Sequence, residues 1–446
     1  MKNALEDIFE PKIPVVPPSW AVLPFEQAAD VVSDKGKRVK QGSYLLAGKI
    51  PIIDQGQDAI GGYTDDEDMA FDDELPVILF GDHTRSFKYI DKRFAVGAEG
   101  VKILRPREGY VPKFFYYLLR SLQIPSRGYS RHFQFLRKFH LPLAPEEQQR
   151  NIVAEIEKQF SRLDEAVANL KRVKANLKRY KASILKAAVE GRLVPTEAEL
   201  AGREGRSYET GEQLLHRTLD ARRSQGNGMF TMPAGPIVRD LPELPAGWSW
   251  VSAVQACDPV VDCHNKTAPY INAGIPLVRT TNIRDGRLVL KDLRYVDQPT
   301  YEYWSRRCPP QPGDVLFTRE APMGEAGIIP AGLQLCLGQR TMLMRPSSAI
   351  STGFLLASLM SPVVKALIDR VAVGSGVKHL RVGDVERLPI PLPPLVEQHR
   401  IVAEVERRLS VIEELEAAVE ANLTRADRLR QAVLSKAFVG ALITSL

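Results

Sequence analysis

The sequence predicts an α+β chain: two mixed α/β globules joined by two long helices that return on each other as an intramolecular antiparallel coiled coil, the whole forming a pseudo-twofold internal repeat. Three observations predict it. A long helical segment is written twice without a gap, 249 positions apart. It runs from Pro142-Leu143 through Ile152-Val153-Ala154-Glu155 to Gly191-Arg192-Leu193, and again from Pro391-Leu392 through Ile401-Val402-Ala403-Glu404 to Gly440-Ala441-Leu442. Each copy follows a globular stretch of about 120 to 140 residues, far longer than a solenoid unit of roughly 20 to 50, so the order is globule, helix, globule, helix. The charges of the two copies oppose favourably only when the helices run in opposite directions.

At 446 residues and roughly 150 per domain, the chain has room for about three units with cores of their own. We place a first globule at 1–143, a first helical region at 144–194, a linker with a short helix at 195–243, a second globule at 244–392 and a second helical region at 393–446. No apolar run approaches the roughly 18 residues of a membrane span, and the start Met1-Lys2-Asn3-Ala4-Leu5-Glu6-Asp7 lacks the basic and apolar regions of a signal peptide. A cytoplasmic protein without membrane contact is expected. Cys257, Cys263, Cys308 and Cys336 all fall in the second globule and none forms a Cys-x-x-Cys pair, so they are expected as reduced structural thiols with no metal site. The formal charge of +6 and pI near 9.0 permit contact with a polyanion without requiring it.

In the first helix Ile156, Leu163, Leu170, Leu177 and Ile184 recur every seven residues, with Phe160, Val167, Val173 and Tyr180 expected to fill the seam between them. The second helix repeats the phase with Val405, Ile412, Val419, Ala426 and Val433, and with Leu409, Leu415, Leu423 and Leu429 between them. That is a heptad pattern. Glu146 and Glu147 suit the positive end of the first helix, while Gly191 and Pro195 mark its finish, as Gly440 does for the second. About 45 helical residues make a rod roughly 65 Å long at 1.5 Å per residue. Lys171, Arg172, Lys174, Lys178, Arg179 and Lys181 make the late first helix basic, against Glu404, Glu406, Glu413, Glu414, Glu416 and Glu420 early in the second. Glu155, Glu157, Asp164 and Glu165 early in the first helix face Arg425, Arg428, Arg430 and Lys436 late in the second. Each exposed pair is worth only about 0 to 1 kcal/mol, but a consistent set selects orientation. The alternative is that the helices dimerise two chains.

Each globule shows strand-like runs, Pro76-Val77-Ile78-Leu79-Phe80 in the first and Asp314-Val315-Leu316-Phe317-Thr318-Arg319 in the second, then an apolar helix around 114–122 or 354–360. Both open near a tryptophan, Trp20 or Trp248, whereas the polar loops between strands differ completely. A common scaffold with unlike loops suggests two versions of one binding module. The loops carry side chains that read base edges or phosphates. In the first globule they are Gln55, Gln57, His83, Arg85, Arg131, His132 and Gln134. In the second they are Arg279, Thr280, Thr281, Asn282, Arg284, Arg319, Gln339, Arg340, Lys378, His379 and Arg381.

At Leu244-Pro245-Ala246-Gly247-Trp248-Ser249-Trp250-Val251, Ile275-Pro276-Leu277-Val278-Arg279-Thr280 and Leu388-Pro389-Ile390-Pro391-Leu392-Pro393-Pro394-Leu395-Val396-Glu397-Gln398-His399-Arg400, the chain closely resembles the specificity subunit of type I restriction-modification systems. The first half resembles it too, through Gly48-Lys49-Ile50-Pro51-Ile52-Ile53-Asp54-Gln55-Gly56-Gln57 and Ser183-Ile184-Leu185-Lys186-Ala187-Ala188-Val189-Glu190-Gly191-Arg192-Leu193. One departure is Glu147-Gln148, which sits one residue earlier than Glu397-Gln398 in the ungapped repeat.

The resemblance implies two target recognition domains, each reading half of a split double-stranded DNA site, spaced by the helices. It implies a bacterial or archaeal phage-defence complex with two methyltransferase (modification) subunits and, through them, restriction subunits that translocate and cut DNA. It implies no catalytic residue and no cofactor in this chain, with S-adenosylmethionine, ATP and Mg2+ held by the partner subunits. The residues agree: there is no Gly-x-x-x-x-Gly-Lys-Ser/Thr phosphate loop, and Gly374-Ser375-Gly376 lacks the later glycine of a dinucleotide fingerprint. Two other readings stay open, a self-contained DNA enzyme and a purely structural coiled-coil scaffold.

Overall fold

The computed structural model describes residues 9–439 apart from 98, 99, 129, 226–229, 239 and 265. The start Met1 to Asp7, and Gly440 with the close of the second repeat, lie outside the described residues. The chain divides into two compact units, Met1–Arg172 with Val419–Leu446, and Val173–Ala418.

In the first unit, strand Ala21–Pro24 pairs antiparallel with His140–Leu143 and ties the beginning of the module to its end. Between them lie two four-stranded sheets. One runs Ala29–Val32, Val101–Pro106, Val77–Gly81, Phe87–Ile90; the other runs Arg38–Val39, Ala95–Gly97, Ile50–Ile53, Gly62–Thr64. Val77–Gly81 is buried along its whole length, the consequence of an uninterrupted apolar run that leaves neither face for water. Helix Pro112–Ser121 starts with proline in its first turn and buries Phe114, Phe115, Leu118 and Leu119.

The main core of this unit continues from Trp20, Phe80 and Phe114 into Ile152, Ile156 and Phe160 of the first long helix and Leu434, Ala437 and Phe438 at the end of the second. Phe114 meets Phe438 edge-on at 5.1 Å, and Arg430 pairs with Asp164. The late second helix therefore packs against the early first helix.

The second unit repeats the plan. Ser249–Ser252 pairs with Pro389–Leu392. A four-stranded sheet orders Cys257–Asp262, Thr341–Pro346, Val315–Thr318, Ala326–Ile328, beside a three-stranded sheet of Arg294–Val296, Ile275–Val278 and Cys336–Leu337. A small hairpin, Ile283–Arg284 with Arg287–Leu288, and a helix, Pro362–Val371, have no counterpart among the named elements of the first module. Here Lys181 and Leu185 line the same cleft as Val402, Val405 and Glu406, so the late first helix lies against the early second. Both units thus show the antiparallel pairing within one chain that the charges predict.

The long helices are Glu146–Val189 and Leu395–Ala437. Ile156, Leu177, Ile184, Val405, Ile412, Val419 and Ala426 are buried, and Leu163, Leu170 and Val433 are half-buried. The intervening row departs from expectation. Phe160 is buried, and Val167, Leu409 and Leu423 partly so, but Val173, Tyr180, Leu415 and Leu429 are exposed. Each helix meets one partner helix, which covers a single narrow stripe; the second row is covered where a module packs on it, as Tyr117 packs on Phe160.

Two further differences concern the joints. Residues 195–243 hold helix Gly211–Gln225 as expected, and also helix Glu197–Glu204, opened by a capping box between Thr196 and Glu199. Glu197 is buried, pairs with Arg206 at 2.6 Å and Arg400 at 2.7 Å, and donates its backbone N–H to Glu397 Oε2 at 2.8 Å. The apparent one-residue offset at the start of the first helix disappears in space. Trp20 Nε1 donates to Gln148 Oε1 at 2.8 Å, and Trp248 Nε1 donates to Glu397 Oε1 at 3.0 Å. Gln148 occupies the place of Glu397.

Candidate nucleic-acid interface

In each module three loops leave the sheets at one edge and are tied together by their own polar groups. In the first, Thr84 Oγ1 and Ser86 Oγ donate to Gln55 O at 2.6 and 3.0 Å, and His83 N donates to Gln55 Oε1 at 3.3 Å. The third loop joins through Ser130 O, 3.2 Å from His83 Nδ1, and through Ile124 O, which accepts from Arg85 at 3.0 Å. At the base, Asp82 N donates to Gly100 O at 2.6 Å and Asp82 O accepts from His132 N at 2.9 Å.

The second module has the same backbone clasp around a residue of opposite charge. Arg319 N donates to Arg340 O at 2.9 Å, and Arg319 O accepts from Leu380 N at 3.0 Å. Asp82 and Arg319 hold equivalent places, as do Gly100 (φ 86°) and Arg340 (φ 63°). A Cβ at Gly100 would stand 2.8 Å from both Gln55 Oε1 and His83 Cδ2, so the first module needs glycine there. The second leaves room for a side chain, at the cost of about 1 to 3 kcal/mol for non-glycine left-handed backbone.

The expected site residues sort into three groups. His132, Asn282 and Arg319 are buried, so they brace the loops from inside and do not reach a surface partner. Nε2 of His132 accepts from Arg127 N at 3.3 Å, which leaves Nδ1 protonated to donate to Asp82 O at 2.8 Å, a neutral ring. Asn282 accepts from Arg279 N and donates to Val289 O and Lys291 O. Arg319 reaches Asp262 at 3.0 Å and Leu380 O at 3.1 Å. His132 and Arg319 are held by groups far along the chain, Asp82 O for the one and Asp262 with Leu380 O for the other, whereas Asn282 closes its own turn.

A second group is half-exposed and shares its polar atoms with the loops. Besides Gln55, His83 and Arg85, it includes Thr280, which donates to Ala321 O at 3.2 Å, Arg279, which donates to Asp292 O at 3.4 Å, and Arg284, which donates to Thr280 O at 2.6 Å. His379 belongs here through backbone bridges to Glu320 and Val373. The third group is open to solvent: Gln57, Arg131 and Gln134 in the first module, and Thr281, Gln339, Arg340, Lys378 and Arg381 in the second. Arg340 pairs with Glu320 at 3.1 Å, a partner that sequence reading missed.

Also missed is an aromatic and basic group beside this edge. Thr267 Oγ1 donates to Gln339 Oε1 at 3.4 Å, and three residues earlier His264 stacks edge-on with Tyr303 at 5.3 Å and Trp304 at 4.8 Å. Arg306 lies 4.0 Å over the Tyr303 ring. The run Tyr301-Glu302-Tyr303-Trp304-Ser305-Arg306-Arg307 was the available signal. Burial, with Arg306, Lys266 and Arg307 near by, lowers the His264 pKa and favours its neutral ring. The four cysteines are buried and unpaired, and burial pushes Cys257 and Cys336 up to about 12, which makes them poor nucleophiles at neutral pH. Among the described residues no group of three or more His, Cys, Asp or Glu is placed to hold a metal ion, and no helix is long and apolar enough to cross a membrane.

Residues 280–425, which include most of the second module's loops and the early second helix, match the family described as the type I restriction modification DNA specificity domain. The EcoBI type I restriction enzyme specificity subunit of Escherichia coli is 25% identical over 311 residues, 68% of this chain and 58% of that protein. The EcoDI specificity subunit of Escherichia coli is 22% identical over 343 residues, 74% of this chain and 70% of that protein. Over these spans the chain is similar to type I restriction-modification specificity subunits. It matches less than two thirds of the length of the EcoBI subunit. A solved structure described as the basis of complex assembly and conformational transition of the type I R-M system shares the fold of this chain, with a TM-score of 0.58 at 19% identity over 96% of this chain and 99% of that one.

Proposed function

We propose that each module reads one half of a bipartite double-stranded DNA site through its three clasped loops, and that the helices space the modules and dock two methyltransferase subunits, with restriction subunits joining through them. The chain supplies recognition and no catalysis; S-adenosylmethionine, ATP and Mg2+ are bound by the partners.

The observation that carries this reading is the pair of clasps. Asp82 and Arg319 make the same backbone bonds, yet the open side chains around them are Gln57, Arg131 and Gln134 in one module and Thr281, Gln339, Arg340, Lys378 and Arg381 in the other. A fixed frame with exchanged tips is what two different sequences require of one scaffold, since Arg can bind guanine and Gln adenine bidentately. The relatives' descriptions as specificity subunits support the same reading.

The test is a module exchange. Replacing residues 15–141 by the corresponding globule of a relative should alter one half of the methylated motif and leave the other intact. If both halves change together, the modules are not independent readers.

A further inference from the structure

Each unit has a cleft where its module meets a long helix, and the two clefts occupy equivalent places. In the first unit the cleft encloses about 520 Å3 and is lined by Gln57, Arg85, Lys88, Tyr116, Arg120 and Gln431 among others. In the second it encloses about 540 Å3, lined in part by Leu356, Met360, Pro362 and Ala182. Val111 N and Ser351 N donate to the matched glutamines Gln149 and Gln398, which aligns Tyr116 with Leu356, Arg120 with Met360 and Leu122 with Pro362. The helix repeat aligns Gln431 with Ala182.

At the matched positions Tyr116, Arg120 and Gln431 of one cleft face Leu356, Met360 and Ala182 of the other, and the second cleft's cations, Lys178, Lys181, Arg287 and Lys365, share its lining with Asp285, Glu406 and Glu413. Among the described residues, three cations and no carboxylate line the first cleft. Lys88 has Asp54 at 3.7 Å and burial lowers its pKa. The two arginines are differently placed. Arg85 spends one N–H on Ile124 O. Arg120 lies 5.4 Å over Tyr116 and 5.9 Å over Phe160, donating to Tyr116 Oη at 3.3 Å. Stacking fixes the plane of the Arg120 guanidinium, no carboxylate among the described residues pairs with it, and a fixed guanidinium fork matches a phosphate. The cleft is continuous with the recognition loops, because Gln57, Thr84 and Arg85 belong to both.

We propose that this cleft is a seat for a DNA backbone phosphate, held by Arg120 and Arg85, and that the second unit lacks the matching seat because Met360 stands at the position of Arg120 and carboxylates accompany the cations there, Glu413 pairing with Arg287 and Glu325 with Lys365. The proposal rests on the chain's role in DNA recognition and adds to it an asymmetric, sequence-independent grip on the side of the first module. A phosphate contact releases counterions, so its signature is the dependence of binding on salt.

The experiment uses the intact assembly with its methyltransferase subunits and compares wild type, Arg120→Met, which imports the second unit's residue and keeps an apolar stem, and Arg120→Lys. For Arg120→Met the slope of log affinity against log salt should fall by about one, with equal fold-loss on target and unrelated duplexes and an unchanged methylated motif. Arg120→Lys should restore the slope. A slope identical to wild type in a folded Arg120→Met assembly, or an altered motif, would overturn the phosphate seat alone. A wild-type assembly that selects no DNA sequence would overturn the recognition reading itself and the seat with it.

Discussion

Gln149 and Gln398 make the same three hydrogen bonds in their two modules. Gln149 Oε1 accepts from Val111 N at 2.7 Å, and its Nε2 donates to Gly109 O and Ala144 O, both at 2.7 Å. Gln398 Oε1 accepts from Ser351 N at 2.8 Å, and its Nε2 donates to Ala349 O at 2.8 Å and Pro393 O at 3.0 Å. Each side chain is fully buried and bonds the start of its long helix to the start of the module's apolar helix. Gln149→Leu or Gln398→Leu strands one backbone donor and two acceptors, at about 1 to 3 kcal/mol per unsatisfied group. Denaturant unfolding should show a loss of several kcal/mol for either variant, and a change under 1 kcal/mol would contradict the role.

Arg319 and Arg340 are both loop arginines of the second module with opposite duties. Arg319→Ala empties a buried site and leaves half-buried Asp262 without its ion-pair partner, and should cost about 3 to 5 kcal/mol of stability, read by denaturant unfolding. Arg340→Ala removes an exposed side chain and should leave stability within about 0.5 kcal/mol, while relaxing selectivity at one half-site by about 1 to 3 kcal/mol if it holds a base. Competition binding with singly altered half-sites measures the second effect.

The helical seam makes a sharp comparison between Ile412, 1% exposed, and Leu415, 48% exposed. Ile412→Ala should destabilise by about 2 to 5 kcal/mol through lost burial and a cavity. Leu415→Ala should change stability by no more than about 0.5 kcal/mol. Thermal unfolding of the two variants checks both; equal effects would mean that the outer row is covered after all.

Glu404 contributes to the acid-side pH dependence of the second helix. Arg407 at 2.8 Å and Arg408 at 2.6 Å lower its pKa from the ordinary 4.5 to about 2. A lowered carboxyl pKa contributes stability that is present above pH 4.5 and lost as pH falls toward 2. Titration of the Glu404 carboxyl by NMR should find it still ionised at pH 3.5, and Glu404→Gln should flatten this part of the acid unfolding profile. A midpoint near 4.5 would contradict the pairing.

The order of elements was legible because it is written twice: the prolines before each helix, the heptads and the opposed charges are local or periodic signals. Helix Glu197–Glu204 was not read, although its capping box was visible, because eight residues do not make a stable helix alone and its anchor is Glu397, far along the chain. The site was half legible. The polar and basic residues singled out in the sequence do fall on loops that are clasped together, but the difference between Arg340 in solvent and Arg319 in the interior depends on Asp262 and Leu380 O, contacts that no spacing reports. The exposed outer row at Val173 and Tyr180 was hidden for the same kind of reason, since periodicity shows which residues share a stripe and not what covers it.

If two unlike modules read two unlike half-sites, the decisive measurement is sequencing that maps methylated adenines in DNA exposed to the assembled methyltransferase. The expected motif has two dissimilar blocks separated by a fixed number of unspecified bases. A single continuous motif would overturn the two-module reading.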